Sequence, residues 1–234
     1  MYKYDIHIHT AETSRCGHLK AAEIVNAYKK LGYAGICITD HLHDFYFDIM
    51  EWHDDWQKCI DRFMYGYKLA KEAGDAAGLD VIFGAEIRFT ENDNDFLLFG
   101  IDEDWLRSRP FVCHVTHREF FHKYGDSVLI LQAHPYRDKF PVLSDCIHGL
   151  EVANCNPRQK NRNELAVELA LSHPELIRVC ASDTHQWGDE GQAGIILPNP
   201  VKDSYEMKAA IEKRSFSLWC PVWEEVIRPC AGKV

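Results

Sequence analysis

The sequence has no apolar run long enough to cross a membrane, and its first residues, MYKYDIHIHT, contain no basic segment followed by an apolar one. These absences argue against a membrane partner and a secretory signal, and we expect the protein to be cytoplasmic. Positive charge is also scarce, since 26 Lys and Arg stand against 36 Asp and Glu, for a formal net charge of −10. Because sequence-independent binding of nucleic acid depends on Lys and Arg, nucleic acid is not the partner we expect.

The sequence lacks a CxxC pair, although it contains nine cysteines, an odd number. A disulfide framework is therefore not expected. Several cysteines lie within apolar runs, such as Cys37 in GICIT and Cys180 in RVCAS. A reduced thiol in such a run packs like a small hydrophobic group, so we expect these cysteines in the core.

Internal repeats, low-complexity tracts and linkers are also missing, so we expect one domain over residues 1–234. Short apolar runs alternate with longer segments of helical periodicity, a pattern typical of βα units around a parallel sheet. The predicted strands are 3–8, 35–39, 80–85, 96–101, 127–132, 149–153 and 177–181, and seven of them suit a barrel. The predicted helices are 20–31, 52–77, 103–107, 117–124, 158–171 and 203–213. Residues 188–194 are predicted as a loop, and SFSLW near the end as an added strand.

Imidazole and carboxylate side chains follow one predicted strand after another. They are His7 and His9, Asp40 and His41, Glu86, His134, and Asp183 and His185. In a parallel barrel the carboxyl ends of the strands gather on one face and build the active site. These side chains are ligands for zinc, iron and manganese, and they are too many for one tetrahedral zinc ion. We therefore expect several ions, and a carboxylate such as Glu86 can bridge two of them.

Five motifs in this order, HIHT, ITDH, GAE, QAHP and ASDTH, resemble the signature of the PHP (polymerase and histidinol phosphatase) family over about residues 5–185. The resemblance implies an α/β fold, a distorted (βα)7 TIM-like barrel. It also implies up to three divalent metal ions, used mainly for phosphoester hydrolysis. With two to three ions of zinc, iron or manganese, a hydroxide shared between two of them would be the nucleophile.

The resemblance also assigns the metal ligands. The first ion is matched by His7, His9, Glu86 and Asp183, the second by Glu86 and His134, and the third by His41 and His185. The family's third ion gains one more ligand shortly after the HxH motif, where this sequence has AETSRCGH. Because RCGH resembles a CGH segment of histidinol-phosphatase-like members, we expect His18 in that role, with Glu12 as the alternative.

The second ion lacks an obvious ligand from the fourth strand, where many relatives have a histidine. The run here is NDFLLFG, which offers only Asp95. Asp95 could substitute, His114 or His117 could approach from a neighbouring segment, or the ion could bind weakly. The sequence leaves these alternatives open.

Other polar residues beside the motifs have predicted roles in catalysis. Asp40 either holds an imidazole in one tautomer or caps a helix. Arg88 and Arg137 are expected to face the site, where each could grip a substrate phosphate bidentately, with a surface ion pair as the alternative for either. Glu151 falls where relatives often have an inward-facing acid, and we regard it as a site residue that does not bind metal.

The predicted function is metal-dependent hydrolysis of a small-molecule phosphate monoester, such as histidinol phosphate, a nucleotide or a sugar phosphate. Alternatives within the family are a protein-tyrosine phosphatase and a nuclease. Similar metal barrels also hydrolyse C–N or ester bonds, and some PHP domains attached to polymerases are non-catalytic structural modules. The sequence does not identify the native metal, the substrate or the oligomeric state.

Overall fold

The strands form where short apolar runs are bounded by polar or glycine-containing turns. The computed structural model describes residues 1–45, 54–137, 143 and 145–230. Its strands are β1 Tyr2–Asp5, β2 Gly35–Ile38, β3 His41–Leu42, β4 Asp80–Phe83, β5 Ala85–Arg88, β6 Asp95–Phe99, β7 Leu129–Gln132, β8 Gly149–Asn154, β9 Ile177–Ala181, β10 Gly194–Leu197 and β11 Ser217–Trp219. Each predicted strand overlaps an observed one, and β11 confirms the strand expected at SFSLW.

The helices form where apolar residues recur at spacings of three and four. They are α1 Ala21–Lys30, α2 Trp56–Ala77, α3 Glu103–Arg107, α4 His117–Tyr124, α5 Asn163–Ser172, α6 Ser204–Glu212 and α7 Glu224–Ile227. The predictions at 103–107 and 117–124 coincide with α3 and α4, whereas the first residues of the prediction at 52–77 lie outside the described residues. Within the described part of the chain, no helix has both the length and the apolar character of a membrane span.

The predicted start of α5 at residue 158 is wrong, because polar side chains stabilise a loop there. The side-chain amide of Asn161 donates to the carbonyl of Asn154 at 3.0 Å, and the side chain of Asn163 accepts from the backbone N–H of Asn154 at 3.1 Å. Such local bonds compete with helix formation. Arg162 has a φ of 51°, so the helix begins only after it.

The strands form two sheets that together make a closed series of neighbouring strands. One sheet has the order β11-β10-β1-β2-β4, and the other has the order β3-β5-β6-β7-β8-β9. The two sheets meet twice: β4 and β5 are separated only by Gly84, and Ile8 beyond β1 bridges Thr184 beyond β9. The result is the mixed α/β architecture of a distorted barrel.

Strand β6 departs from the expected parallel arrangement. It pairs antiparallel with both β5 and β7. The reason is the connection 89–94, which is long enough for a hairpin but too short for the crossover that parallel neighbours require. An antiparallel strand begins where its neighbour ends, so Asp95 at the start of β6 pairs with Arg88 at the end of β5. This places Asp95 at the same edge as the carboxyl ends of the parallel strands.

A buried apolar cluster lies directly beneath that edge. On β6, Asp95, Leu97 and Phe99 point to one face because strand side chains alternate, and both apolar members are fully buried in the cluster that also contains Leu131 and Val179. Further apolar clusters pack the helices against the outside of the strands. The polar residues of the edge therefore lie on a rigid, well-packed base.

Candidate metal centre

Seven of the eight predicted metal ligands converge at the ends of the strands. Their ligand atoms lie within 4.8 Å of one another in the groups His7–His9–Asp183, His7–Glu86–His134 and His9–His41–His185. A further group joins His41 and Glu86 to Asp95. The groups share members, so they form one continuous cluster with room for more than one ion.

Glu86 lies at the middle of the cluster and is 1% exposed. Its Oε1 is 3.2 Å from Nε2 of His7 and 3.0 Å from Nε2 of His134. Its Oε2 is 3.3 Å from Nε2 of His9 and 2.9 Å from Nδ1 of His41. Each carboxylate oxygen thus faces a different pair of imidazoles, which is the geometry that a bridging ligand needs. The sequence predicts one strand over 80–85, with Glu86 just past its end. In the structure a second short strand, β5, follows β4 after Gly84, and Glu86 lies within β5.

Asp183 closes the cluster on the opposite side. Its Oδ1 is 3.4 Å from Nε2 of both His7 and His9 and 3.3 Å from Nδ1 of His185. The other oxygen, Oδ2, accepts a hydrogen bond from Nη2 of Arg137. The residue has a φ of 56°, a backbone conformation that is uncommon outside glycine and frequent at functional sites.

Several atoms in this cluster are buried without a hydrogen-bond partner among the described residues. They include His7 Nε2, His9 Nε2, Glu86 Oε2 and Asp183 Oδ1. Buried polar atoms are almost always satisfied, and these atoms face one another across 3.3 to 3.4 Å. A cation between them would satisfy all of them. The nitrogen and carboxylate donors therefore fit a divalent metal ion.

Burial and charge shift the ionisation of these groups in opposite directions. Burial alone would lower the pKa of His7, but the carboxylates of Asp183 and Glu86 raise it well above its usual range. Burial lowers the pKa of His9 well below its usual range, and the imidazole of His185 adds to that effect. Burial opposes ionisation of Glu86 and Asp183, yet the nearby His7 keeps the pKa of both well below the usual range. Two ionised carboxylates thus face the cavity, as a cation site requires.

Glu151 supports the cluster from behind without facing it. Nδ1 of His7 lies 2.8 Å from Oε1 of Glu151, and Oε2 accepts from the backbone N–H of His134 at 2.8 Å and from the side chain of Asn154 at 2.9 Å. A histidine that binds metal commonly donates its second N–H to such a carboxylate. Glu151 therefore orients His7, in keeping with its assignment as a site residue that is not a ligand.

Within the described residues, the carboxylate of Asp40 bonds the loop after β1 and makes no hydrogen bond to an imidazole or to the start of a helix. Its carboxylate accepts from the backbone N–H of Thr10 at 2.8 Å, from the Thr10 hydroxyl at 2.7 Å and from the Ser14 hydroxyl at 2.6 Å. Ser14 Oγ in turn accepts from the backbone N–H of His41 at 3.1 Å and lies 3.4 Å from Nδ1 of His9. Burial raises the pKa of Asp40 to about 6, and its hydrogen bonds with Ser14 and Thr10 limit that rise. Asp40 thus holds the loop after β1 in place, and Ser14 links it to the imidazole of His9.

His18, the residue expected as a further ligand of the third ion, lies apart from the other predicted ligands. His18 is exposed and belongs to none of the convergent groups among the described residues. The Glu12 carboxylate accepts the backbone N–H of Ala21 at 3.0 and 3.2 Å, so it satisfies the start of α1. The residue that approaches the imidazoles is Cys16.

Sequence reasoning missed Cys16. Burial raises the pKa of the Cys16 thiol, but hydrogen bonding with the imidazoles of His185 and His41 outweighs that effect and lowers the pKa to about 6. The sequence feature that points to Cys16 is its position in RCGH, between Glu12 and His18.

Of the alternatives for the second ion, the structure favours Asp95. Its Oδ2 is 3.9 Å from Nε2 of His134. By contrast, His114 contacts Asp44, and His117 contacts Glu91. Neither histidine belongs to a group with the central ligands in the described part of the chain.

Both arginines that were expected to grip phosphate are engaged with acids of the cluster. Nε and Nη2 of Arg88 each donate to Asp95 at 2.8 Å. Arg137 is largely buried and bonds Asp183, with further bonds to Asn154 and Asn161, each at 2.9 Å. Each arginine therefore positions a carboxylate, and a direct role in holding phosphate stays a prediction.

The fold and these motifs agree with the comparisons to known proteins. The sequence matches the model of the PHP domain over residues 5–212. No curated protein matches it. A two-domain protein from Bacteroides vulgatus that contains a predicted PHP-like metal-dependent phosphoesterase is similar in structure, with a TM-score of 0.67, 17% identity, and coverage of 97% of this chain and 68% of that one.

Two further solved structures are similar over most of the chain. A proposed metal-dependent phosphoesterase from Bifidobacterium adolescentis has a TM-score of 0.54 and 16% identity, and covers 90% of this chain and 96% of that one. An amidohydrolase from Chromobacterium violaceum with bound sulfate has a TM-score of 0.56 and 15% identity, with coverage of 93% and 98%. These likenesses support the fold, and the family match extends from β1 to α6 and includes all five motifs. The chain therefore belongs to the PHP domain family.

Proposed function

We propose that this protein is a metal-dependent phosphoesterase that hydrolyses a small-molecule phosphate monoester at the centre around Glu86. The observation that carries the proposal is the position of the Glu86 carboxylate, whose oxygens face four imidazoles at 2.9 to 3.3 Å. A buried carboxylate in such surroundings is suited to bridging two cations. Bound divalent ions would supply an activated water and neutralise charge on the phosphoryl group.

The proposed ligand sets follow the convergent groups. His7, His9, Glu86 and Asp183 would hold one ion, and His41 and His185 would contribute to a third. Glu86 and His134 would hold a second ion, with Asp95, whose Oδ2 is 3.9 Å from Nε2 of His134, as its further ligand. We propose two to three ions of zinc, iron or manganese, since all three metals accept this donor set.

The chain's own residues prepare the cavity for these ions. In the neutral form of His7 whose Nδ1–H donates a hydrogen bond to Oε1 of Glu151, the lone pair of Nε2 is directed at Glu86 and Asp183. Nδ1 of His185 lies 2.9 Å from the carbonyl of Asp183. This contact favours the tautomer of His185 that has its proton on Nδ1 and its lone pair on Nε2. Arg137 holds Asp183 from outside the cavity. The ligands are therefore oriented before an ion arrives.

The burial of the centre supports a small substrate. His7 and Glu86 are at most 1% exposed, and the side chains of His134, His185 and His41 are 7%, 11% and 14% exposed. A phosphate monoester can present a terminal phosphoryl group to such a recess, whereas a polymer must bring its backbone to it. The net charge of −10 also disfavours nucleic acid.

A second candidate is hydrolysis of a C–N or ester bond. The observation that favours it is the structural similarity to the amidohydrolase from Chromobacterium violaceum. The same kind of centre could activate water toward a carbonyl carbon. Phosphoester hydrolysis is preferred because two other similar structures are described as metal-dependent phosphoesterases.

The test combines metal analysis with a substrate panel. The purified protein is stripped with a chelator, reloaded separately with zinc, manganese or ferrous iron, and assayed with histidinol phosphate, sugar phosphates, nucleotides, a phosphotyrosine peptide, a phosphodiester, and acyl and amide substrates. We expect phosphate release from small monoesters, its loss on stripping and its recovery on reloading. Hydrolysis of acyl or amide substrates with every phosphoester untouched would overturn the proposal.

A matched pair of variants separates a metal-bridging role from a general effect. Glu86→Gln removes the central charge and should lower metal content and turnover together. Glu72→Gln makes the same change on the exposed face of α2 and should alter neither. Equal behaviour of the two variants would contradict the role of Glu86.

A further inference from the structure

We propose that Asp44, Cys113 and His114 bind a zinc ion at a second position, separate from the centre around Glu86. The ligand atoms of the three side chains lie within 4.8 Å of one another. Oδ1 of Asp44 is 3.9 Å from Sγ of Cys113 and also contacts Nε2 of His114. Oxygen, sulfur and nitrogen donors from segments 70 residues apart in the chain thus converge on one point.

The position is distinct from the proposed catalytic centre. Asp44 follows β3, and Cys113 and His114 lie in the connection between α3 and α4. Within the described part of the chain, none of the three shares a convergent group with Glu86 or with any other central ligand. Zinc binding here therefore does not depend on phosphoester hydrolysis at the centre.

The fold holds Cys113 in a fixed orientation. Its side chain is 2% exposed and belongs to the apolar cluster that also contains Trp56. The carbonyl of Phe111, whose φ is 54°, accepts the backbone N–H of His114 at 2.8 Å, so Cys113 lies within a tight turn. The Phe111 ring packs 5.4 Å from the ring of Trp56. The thiol therefore has little freedom, and it is directed at Asp44.

The other two ligands lie on the solvent side of the same position. The side chains of His114 and Asp44 are 44% and 52% exposed, and the His114 ring is 5.0 Å from the ring of Phe111. An ion can reach these donors from solvent, and water can complete its coordination. The position thus combines one buried sulfur with an open side.

An ion pair between His114 and Asp44 would explain only part of this arrangement. Such a pair between exposed side chains contributes little stability, and it gives the Cys113 thiol no role. A thiol is a weak hydrogen-bond donor, so its contact with Asp44 at 3.9 Å is weak as well. A cation bound by all three side chains would engage the sulfur, because a coordinating thiol loses its proton to the metal.

The donor set determines the metal. Thiolate and imidazole favour zinc, whereas manganese favours oxygen ligands. Zinc in proteins is usually tetrahedral with sulfur, nitrogen and oxygen ligands, so three side chains and one water would complete its shell. The ion would connect the segment after β3 to the connection between α3 and α4. Its expected effect is on the stability of these two segments.

Cobalt spectroscopy on the full chain tests the thiolate ligand. Co²⁺ bound by a thiolate absorbs in the near ultraviolet through charge transfer from sulfur, and imidazole and carboxylate ligands alone do not produce this band. The chelator-treated protein should develop the band on titration with Co²⁺, and Cys113→Ser should lack it. Cys59→Ser, which changes another buried cysteine of the same apolar cluster, should keep it, and so should Cys16→Ser.

Two further variants separate this position from the centre around Glu86. Glu86→Gln should keep the thiolate band although it binds less metal in total. His114→Gln should weaken the band, because the ion loses a ligand while the thiol remains. A band that persists unchanged in Cys113→Ser, or that disappears in Glu86→Gln, would overturn the inference.

Zinc content provides a second readout. After equilibration with zinc, Asp44→Asn and Cys113→Ser should each hold about one ion fewer per chain than the parent, and the double variant should lose no more than that, because both residues would serve one ion. Asp44 is exposed, so its variant tests the position even if Cys113→Ser fails to fold, which thermal unfolding checks. Unchanged zinc content in Asp44→Asn, or a loss of two ions in the double variant, would also overturn the inference. A protein with the band and the additional ion but no phosphoester hydrolysis would overturn only the proposed function.

Discussion

Nδ1 of His7 lies 2.8 Å from Oε1 of Glu151, and both side chains are fully buried. The second oxygen of Glu151 accepts the backbone N–H of His134 at 2.8 Å. One carboxylate therefore connects the ends of β1, β7 and β8. It fixes the direction of one proposed ligand and the backbone of another, although it does not face the cavity itself.

Substituting Glu151 with Gln should weaken metal binding while leaving the fold intact. The amide keeps the size of the carboxylate but carries no charge to favour the N–H of His7. Removing such a supporting group typically costs about 10- to 100-fold in metal affinity. Competition with a coloured chelator measures the change, and circular dichroism checks the fold. The exposed Glu72→Gln is the control, and an unchanged affinity in Glu151→Gln would contradict the orienting role.

Asp95→Asn should reduce occupancy of the proposed second ion and spare the first. Asp95 is 5% exposed and lies close to His134, so the change removes an oxygen ligand and the nearer of the two carboxylates that pair with Arg88. We expect a loss of about tenfold or more in the affinity for the most weakly held ion. Stepwise metal titration with calorimetric detection resolves that ion from the others.

The control for this prediction is Asp93→Asn. Asp93 also pairs with Arg88, at 3.3 Å, but its side chain is 59% exposed. If Asp95 acts as a ligand, the Asp93 variant should bind metal like the parent. Equal losses in both variants would mean that the effect is transmitted through Arg88.

The convergence of the ligands could be predicted from sequence because it depends on strand ends, which short apolar runs mark well. His7, Glu86, His134 and Asp183 each follow or end such a run, and the structure brings their ligand atoms together. Because parallel strands of a barrel end on one face, the position of these residues at strand ends is enough to predict that their side chains meet.

The remaining features depend on contacts between segments that are distant in the chain or on backbone turns. Whether Cys16 or His18 lies near His185 depends on the turn in which Gly17 donates its backbone N–H to the carbonyl of Ser14, which composition does not reveal. Asp40 bonds Thr10 and Ser14, which precede it by 30 and 26 residues, so its position beside His41 was misleading. The antiparallel direction of β6 follows from the short connection 89–94. The hydrophobic pattern of a strand does not indicate the direction in which the strand runs.

Gly66→Ala should destabilise the protein and disturb the metal centre together. A Cβ at this position would lie 2.0 Å from Oγ1 of Thr10 and 2.8 Å from Oγ1 of Thr13, and Thr10 Oγ1 bonds Asp40 at 2.7 Å. Overpacking of this kind costs about 1–3 kcal/mol, which exceeds the gain of roughly 0.5–1 kcal/mol from replacing a helical glycine with alanine. The displaced loop should also weaken binding of Co²⁺.

Gly74→Ala provides a comparison within the same helix. Its Cβ would lie 2.5 Å from Cγ2 of Val81 and 2.7 Å from the carbonyl of Leu79, away from the metal centre. Urea unfolding should show a loss of stability in both variants, whereas the cobalt spectrum should change in Gly66→Ala alone. Equal spectra would argue that α2 does not support the loop after β1.

His148 should make the stability of the protein fall as the pH is lowered. Its Nδ1 accepts the backbone N–H of Ile130 at 3.0 Å, which requires the neutral ring. Burial lowers its pKa below 6.5, Glu212 partly opposes that shift, and Lys208 adds to it. The unfolded chain keeps the ordinary pKa, so it binds more protons than the folded protein as the pH falls through that value. The stabilising contribution is therefore complete above the unfolded pKa and is lost as the pH falls toward the folded pKa.

The variant His148→Gln cannot titrate and should show a smaller loss of stability on acidification. The free energy of unfolding, measured by urea titration between about pH 7.5 and pH 5, should converge for the parent and the variant at the acidic end, because the parent loses its advantage there. His122→Gln, an exposed change on α4, should run parallel to the parent throughout. A constant difference between parent and His148→Gln across this range would show that His148 acts through packing with Phe121, whose ring centre is 5.0 Å away, and not through its ionisation.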